Sequence, residues 1–296
     1  MKLFSAITFL LTASAGFSQA AIDGPQIEQF TGLKGSLNES EGVFKVTAPR
    51  SDIKVTVDGW QMPPFMGLTS WAAFAPGKKK PTMVMGDLVL MQDEVNAVMS
   101  VVLDFGLSVT ALHNHFFYDE PKVCFMHIAG EGELGVLAAG VRAALDKVKE
   151  IRAAKPELSK GFGASIAAGN SNITGAEVDS VLGTKGQAKD GMFKVVLGRK
   201  ATMECGCDVG KEMGINTWGA FAGTDSDALV DGDFVVLESE LQPVLKSLRH
   251  DGINIVAIHH HMTGEFPRYL FLHYWGRGSV VKLTKAIKSA LEKTGK

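Results

Sequence analysis

Beyond its first 20 residues the chain has no long apolar run of the kind a membrane-spanning helix needs. It holds three cysteines, Cys124, Cys205 and Cys207, in 296 residues. That is too few for a disulfide scaffold, and an odd number. Neither sign of charge dominates: the formal net charge is −2 and no basic block stands out. Nucleic acid and anionic membrane surfaces are therefore not expected partners. A phosphate loop, a dinucleotide fingerprint, a nucleophile elbow and Cys/His zinc-finger spacing are all missing. What is present is a core-forming composition, 46% hydrophobic and 21% charged, which argues for a folded chain and against disorder.

The N-terminus reads as a signal peptide. A single basic residue, Lys2, precedes the apolar stretch Ala6 to Ala13, and Ser18-Gln19-Ala20 supplies a small-x-small exit. Residues 1–20 are expected to be removed, leaving a periplasmic or secreted protein without stable membrane insertion. No cysteine follows the cleavage position, so a lipid anchor is not indicated.

The rest of the chain is an internal repeat. Ala111-Leu112-His113-Asn114-His115 recurs as Ala257-Ile258-His259-His260-His261 at an offset of 146. The same offset relates Gly86-Asp87 to Gly232-Asp233, Glu94 to Glu240, Pro121 to Pro267 and His127 to His273. It drifts to 147 at Trp71 against Trp218 and to 149 at Arg50 against Arg199, as small loop deletions would leave it. Copy one is expected over 22–150, a Lys/Gly/Ala/Ser-rich linker over 151–171 and copy two over 172–296.

Within a copy, β-branched and aromatic runs at Val43–Val46, Ile53–Val57, Leu68–Phe74, Met83–Leu90, Leu107–His115 and Val123–Ile128 predict strands. Helical spacing over Asp93–Phe105, ended by Gly106, and over Leu134–Val148 predicts two helices; Val280–Leu291 is the counterpart of the second. The expected fold class is α+β: a tandem repeat of two antiparallel-sheet units, each with its helices on one face, related by a pseudo-twofold axis.

Seven of the eight histidines fall inside the two copies of this motif, leaving only His250 outside. Imidazole binds zinc, copper, nickel and iron, and a nearby carboxylate suits a borderline divalent ion. Residues two apart in a strand share a face, which groups His113 with His115 and His259 with His261. The following strand returns His127 and His273; a register slip of one residue would send them to the opposite face. Asp119 and Glu265, each four residues past the second motif histidine, are the acids expected to complete a three-His, one-carboxylate set. The predicted ligands are thus His113, His115, Asp119 and His127, with His259, His261, Glu265 and His273. Zinc or copper is the expected ion, with room for a small-molecule partner. A metal-dependent hydrolase or non-haem oxygenase, and a structural or interaction protein with hydrogen-bonded histidines, are the competing readings.

These motifs resemble the LppY/LpqO family of exported bacterial proteins. The resemblance rests on Gly-Asp-x-Val-Leu with a following Glu, on Ala-Leu-His-Asn-His, and on a Pro followed by a strand that ends in His. It covers both copies and implies an exported setting but no reaction. His260 stands where Asn114 stands in copy one.

Other residues carry less. Cys205-Gly206-Cys207 is expected on a strand, more as a buried apolar pair than as a soft-metal site, and Cys124 should face the core. Trp71 and Trp218 are expected as core anchors. Arg50 and Arg199 suit either an anion or a salt bridge, and Glu94 and Glu240 fit the first turn of a helix.

Overall fold

The computed structural model describes residues 21–162 and 171–295. The expected signal peptide and residues 163–170 of the expected linker lie outside the described residues. Copy one contains α1 (Gly24–Thr31), β1 (Gly35–Asn38), β2 (Val43–Pro49), β3 (Thr56–Val57), β4 (Trp60–Gln61), β5 (Thr69–Pro76), β6 (Thr82–Met91), α2 (Gln92–Asp104), β7 (Ser108–His113), β8 (Asp119–Glu120), β9 (Val123–Gly132) and α3 (Leu134–Ala154). Copy two repeats the order as α4 (Ala176–Leu182), β10 (Gln187–Lys189), β11 (Met192–Gly198), β12 (Ala201–Met203), β13 (Asp208–Val209), β14 (Asn216–Gly223), β15 (Ala228–Leu237), α5 (Glu238–His250), β16 (Asn254–His259), β17 (Glu265–Phe266), β18 (Tyr269–Gly278) and α6 (Val280–Leu291).

The two copies do not form separate sheets. One antiparallel sheet of 12 strands runs β1-β2-β5-β6-β9-β7-β16-β18-β15-β14-β11-β10, and the second half of that order mirrors the first. Leu112 pairs with Ile258 across the junction of β7 and β16. These are equivalent residues of the two copies, as a twofold axis through the pair requires. A shared core fuses the halves: Val98, Met99 and Val102 of α2 belong to the same buried cluster as Val244, Leu245 and Leu248 of α5.

Amphipathic spacing puts that core on one face of the sheet. In α2, Val95, Val98, Met99, Val102 and Leu103 are buried, and in β5 burial alternates through Ser70, Ala72 and Phe74. The opposite face carries two small three-stranded sheets, β4-β3-β8 and β13-β12-β17, each over its own apolar cluster. Alternation along β9 divides the faces: Met126 and Ile128 join the helix-side core, while Phe125 joins the cluster beneath β4-β3-β8. Cys124 packs against the helix-side core, as expected from alternation.

Each copy also clasps the other. The Asn96 side chain of α2 donates to Ile255 O (3.1 Å) and accepts from Ile255 N (2.7 Å). Gln242, its equivalent in α5, does the same to Val109, at 2.8 and 2.9 Å. Both targets sit at β-bulges, between Val109 and Ala111 and between Ile255 and Ala257, where the ladder leaves backbone groups unpaired. The amide of one copy satisfies the bulge of the other, just upstream of each histidine motif. The expected linker begins as structure belonging to copy one: α3 extends to Ala154, and Arg152 and Ser159 N both donate to Asp93.

Candidate metal centre

The strand register brings His113 and His127 to one face. Ala111 pairs with His127 and His113 with Phe125, so His113 and His127 are offset by two positions. An even offset keeps both on the same side. Their rings lie 5.1 Å apart, tilted by 5°. In copy two His259 and His273 repeat this at 4.6 Å and 24°.

The second motif histidine arrives by a different route from the one expected. β7 ends at His113 and β16 at His259, so His115 and His261 lie in loops and strand alternation does not place them. Stacking does. The His115 ring lies on Phe125 with centroids 3.4 Å apart, and His261 lies on Phe271 at 3.5 Å. This brings His115 Nε2 to 3.2 Å from His113 Nε2. An ion bonded to both at about 2.1 Å in a tetrahedral site would hold them about 3.4 Å apart.

The carboxylates beside the imidazoles are not those the spacing suggested. Asp119 accepts from Lys122 Nζ and Val123 N, both at 2.8 Å, and Glu265 accepts from Tyr269 N at 3.1 Å. Both acids anchor the turn before β9 or β18. The acid at each cluster comes instead from the neighbouring long strand, where Asp87 pairs with His127 and Asp233 with His273. Both aspartates are buried, at 7% and 2% exposure. Among the described residues, Asp233, His259 and His261 form a group able to hold a metal, with ligand atoms all within 4.8 Å of one another. The signal was in the sequence: Gly-Asp recurs at the same offset of 146 as the histidines. The glycine is there for packing, because a Cβ at Gly232 would lie 2.1 Å from the Tyr274 ring and one at Gly86 2.7 Å from Trp71 O.

Tautomers in copy two follow from backbone carbonyls. Nδ1 of His259 faces His260 O (3.4 Å), that of His261 faces Gly214 O (3.1 Å) and that of His273 faces Gly232 O (3.4 Å). A carbonyl only accepts, so each Nδ1 carries its proton and a neutral ring presents its Nε2 lone pair. His261 Nε2 stands 3.0 Å from Asp233 Oδ2, and His259 Nε2 is buried with no hydrogen-bond partner. Two lone pairs at 3.0 Å repel unless a proton or a cation lies between them. Among the four residues of the copy-one cluster, Asp87 Oδ1 is buried without a hydrogen-bond partner.

Burial lowers the His113, His115 and His259 imidazoles below the ordinary histidine value. Nearby imidazoles add to the effect, and Asp87 or Asp233 opposes it. The rings are thereby kept neutral at pH 7, the form that binds a metal.

Trp71 and Trp218 are half-buried on this same face, directly opposite Asp87 and Asp233 in the ladder, and are not core anchors. Lys45 Nζ lies 4.4 Å above Trp71 and Lys194 Nζ 4.2 Å above Trp218. A cleft of about 530 Å³, lined by Lys194, Lys211, Trp218 and His261 among others, opens beside the copy-two cluster. Arg50 and Glu94 pair with each other, at 2.7 and 3.0 Å, and Arg199 likewise binds Glu240, so the repeated arginines tie a strand end to the following helix. His260 and His250 are exposed, and Cys205 and Cys207 sit exposed at a hairpin tip where a buried strand pair was expected.

The family model described as Domain of Unknown Function (DUF1259) matches residues 25–147 and again residues 176–293. The chain belongs to that family. It carries two tandem copies of the domain, in the segments that the fold relates by its pseudo-twofold. No curated protein gives a match. A solved structure titled as the trimeric bacterial microcompartment shell protein PduB aligns over 87% of this chain and 89% of that one, at 13% identity and a TM-score of 0.22. So low a score carries no argument about this protein. No described helix is long and apolar enough to cross a membrane.

Proposed function

We propose that the protein binds a divalent transition metal at two equivalent sites, one per copy, with zinc or copper as the ion. The ligands are His113, His115, His127 and Asp87 in copy one, and His259, His261, His273 and Asp233 in copy two. The observation that carries this reading is the tautomer pattern of copy two, where three Nδ1 atoms are held by backbone carbonyls and the Nε2 atoms are left for a common acceptor of lone pairs. Backbone partners of that kind are what orient metal-ligating histidines. A purely structural histidine network accounts less well for the buried, unpartnered His259 Nε2. The signal-peptide pattern of residues 1–20 and the LppY/LpqO resemblance support a periplasmic or secreted setting.

The cleft beside His261 favours a second reading, a metal-dependent enzyme or a binder of a small anionic molecule. Lys194 and Lys211 line that cleft, and two imidazoles with a carboxylate also form the donor sets of catalytic zinc and non-haem iron sites.

Metal analysis of the protein purified from its native compartment, followed by dialysis of chelator-treated protein against zinc or copper, tests the first reading. Uptake approaching two ions per chain is expected. A chain that takes up neither ion at micromolar concentration would remove it.

A further inference from the structure

We infer that Cys205 and Cys207 form a reversible thiol–disulfide couple that exchanges with thiols or disulfides in solution, separate from the histidine clusters. The two cysteines flank Gly206 at the tip of the β12–β13 hairpin, joined as a disulfide with Cα atoms 5.4 Å apart. Residues Glu204 to Asp208 are all exposed.

A structural role for this bond is hard to find. Cross-linking residues two apart removes almost no freedom from the unfolded chain, because the entropic gain grows with loop length. Backbone bonds already close the tip: Met203 N donates to Cys207 O at 2.9 Å and Gly206 N to Met203 O at 2.8 Å. Gly206, at φ +79°, takes the left-handed conformation that the turn needs. Glu204 N donates to Gly264 O at 2.9 Å, which ties the tip to the histidine loop without sulfur. Copy one makes the equivalent hairpin, β3–β4, with the two-residue turn Asp58-Gly59, both at positive φ, and no cysteine. The fold thus forms this hairpin without a crosslink, and in copy two the sulfurs are left for chemistry.

Exposed disulfides are the labile ones, open to attack by a thiolate. In the exchange, one thiolate attacks a sulfur of the Cys205–Cys207 bond, and a second thiol resolves the mixed disulfide. The Cys205–Cys207 bond breaks, a disulfide forms between the two incoming sulfurs, and two protons, one from the resolving thiol and one from solvent, end on Cys205 and Cys207. The partner is oxidised by two electrons and the pair is reduced by two. Cys124 does not compete, because burial pushes its thiol up to about 11.

The test equilibrates the full chain with mixtures of reduced and oxidised glutathione, then alkylates free thiols and weighs the peptide that contains residues 205–207. Both forms should be populated across the mixtures in one two-thiol transition. The thermal midpoints of the oxidised and reduced proteins should agree within about 2 °C. Cys205→Ser should trap a mixed disulfide with glutathione on Cys207. A pair that stays oxidised in a thousandfold excess of reduced glutathione, one that stays reduced in oxidised glutathione alone, or a reduced protein that melts well below the oxidised one would each overturn the inference.

Discussion

The two copies carry the same four-residue cluster in two different arrangements. In copy one the His113 and His115 Nε2 atoms face each other and Asp87 Oδ1 has no hydrogen-bond partner. In copy two His261 turns to Asp233, and among the four cluster residues His259 Nε2 is buried without a hydrogen-bond partner. The backbone fixes where the donors stand, and ring placement decides which of them pair. Neither arrangement satisfies every buried polar atom, a cost of about 1–3 kcal/mol for each one left over. A cation that accepts from all four donors would satisfy both clusters in the same way. That common solution supports the ion proposed for each site.

The largest expected effect separates the sites. His259→Ala with His261→Ala should abolish ion uptake by copy two and leave copy one at full occupancy, read as a fall from two ions per chain to one by metal analysis. Retention of both ions would show that the imidazoles of the motif are not the ligands.

Next is the buried Arg–Glu pair, where the copies differ in depth. Glu94 has no exposed side-chain surface and binds both Arg50 and Arg152, whereas Glu240 binds the more exposed Arg199. Glu94→Ala should cost about 3 kcal/mol, because it removes the fully buried carboxylate shared by Arg50 and Arg152 and leaves them Asp52 and Asp93 as their acid partners. Glu240→Ala should cost about 2 kcal/mol or less. Urea unfolding of the two variants checks this, and equal losses would contradict it.

The same residues separate what sequence segments encode from what distant contacts set. The repeat, the α+β class and the single helix-bearing face followed from offset and periodicity, because those are properties of segments. The fusion into one sheet did not, since the Leu112–Ile258 pairing is set by where two distant strands meet. The histidines were legible because seven of eight cluster in matched positions. The acid was not, because Asp119 is near in sequence while Asp87 is near in space, 40 residues before His127 and opposite it in the ladder. His115 reached the cluster through the Phe125 ring, a contact that strand alternation does not encode.

The reciprocal clasp predicts a smaller effect. Asn96→Ala leaves Ile255 N and O without their amide partner at a buried site, at about 1–3 kcal/mol. Gln242→Ala does the same to Val109 at a partly buried one and should cost less. Each loss should also loosen the histidine cluster of the other copy, read as weaker zinc binding there. Weakening confined to the mutated copy would contradict the crossed arrangement.

The smallest effect concerns acid. Burial alone would raise the Asp119 carboxyl, but Lys122 and the Val123 amide outweigh it and hold the group below the ordinary aspartate value. The folded state therefore binds the proton less readily than the unfolded chain. The stability this contributes is fully present above about pH 4 and is lost as pH falls through the lowered folded value. Asp119→Asn should be less stable than the parent at pH 7, and the gap should narrow in the acid range. Unfolding midpoints measured from pH 7 down to about pH 2 check this. A gap of constant size throughout would contradict it.

Each proposed site takes its acid from the long strand, Asp87 or Asp233, and not from the turn. Zinc affinity measured by competition with a chromogenic chelator, in a chain whose copy-one site is disabled by His113→Ala and His115→Ala, tests it most directly. Asp233→Asn should weaken binding at least about tenfold, the loss of one charged ligand, while Glu265→Gln should leave it within about twofold. Unchanged affinity in Asp233→Asn, with the loss appearing in Glu265→Gln, would put the acidic ligand in the turn instead.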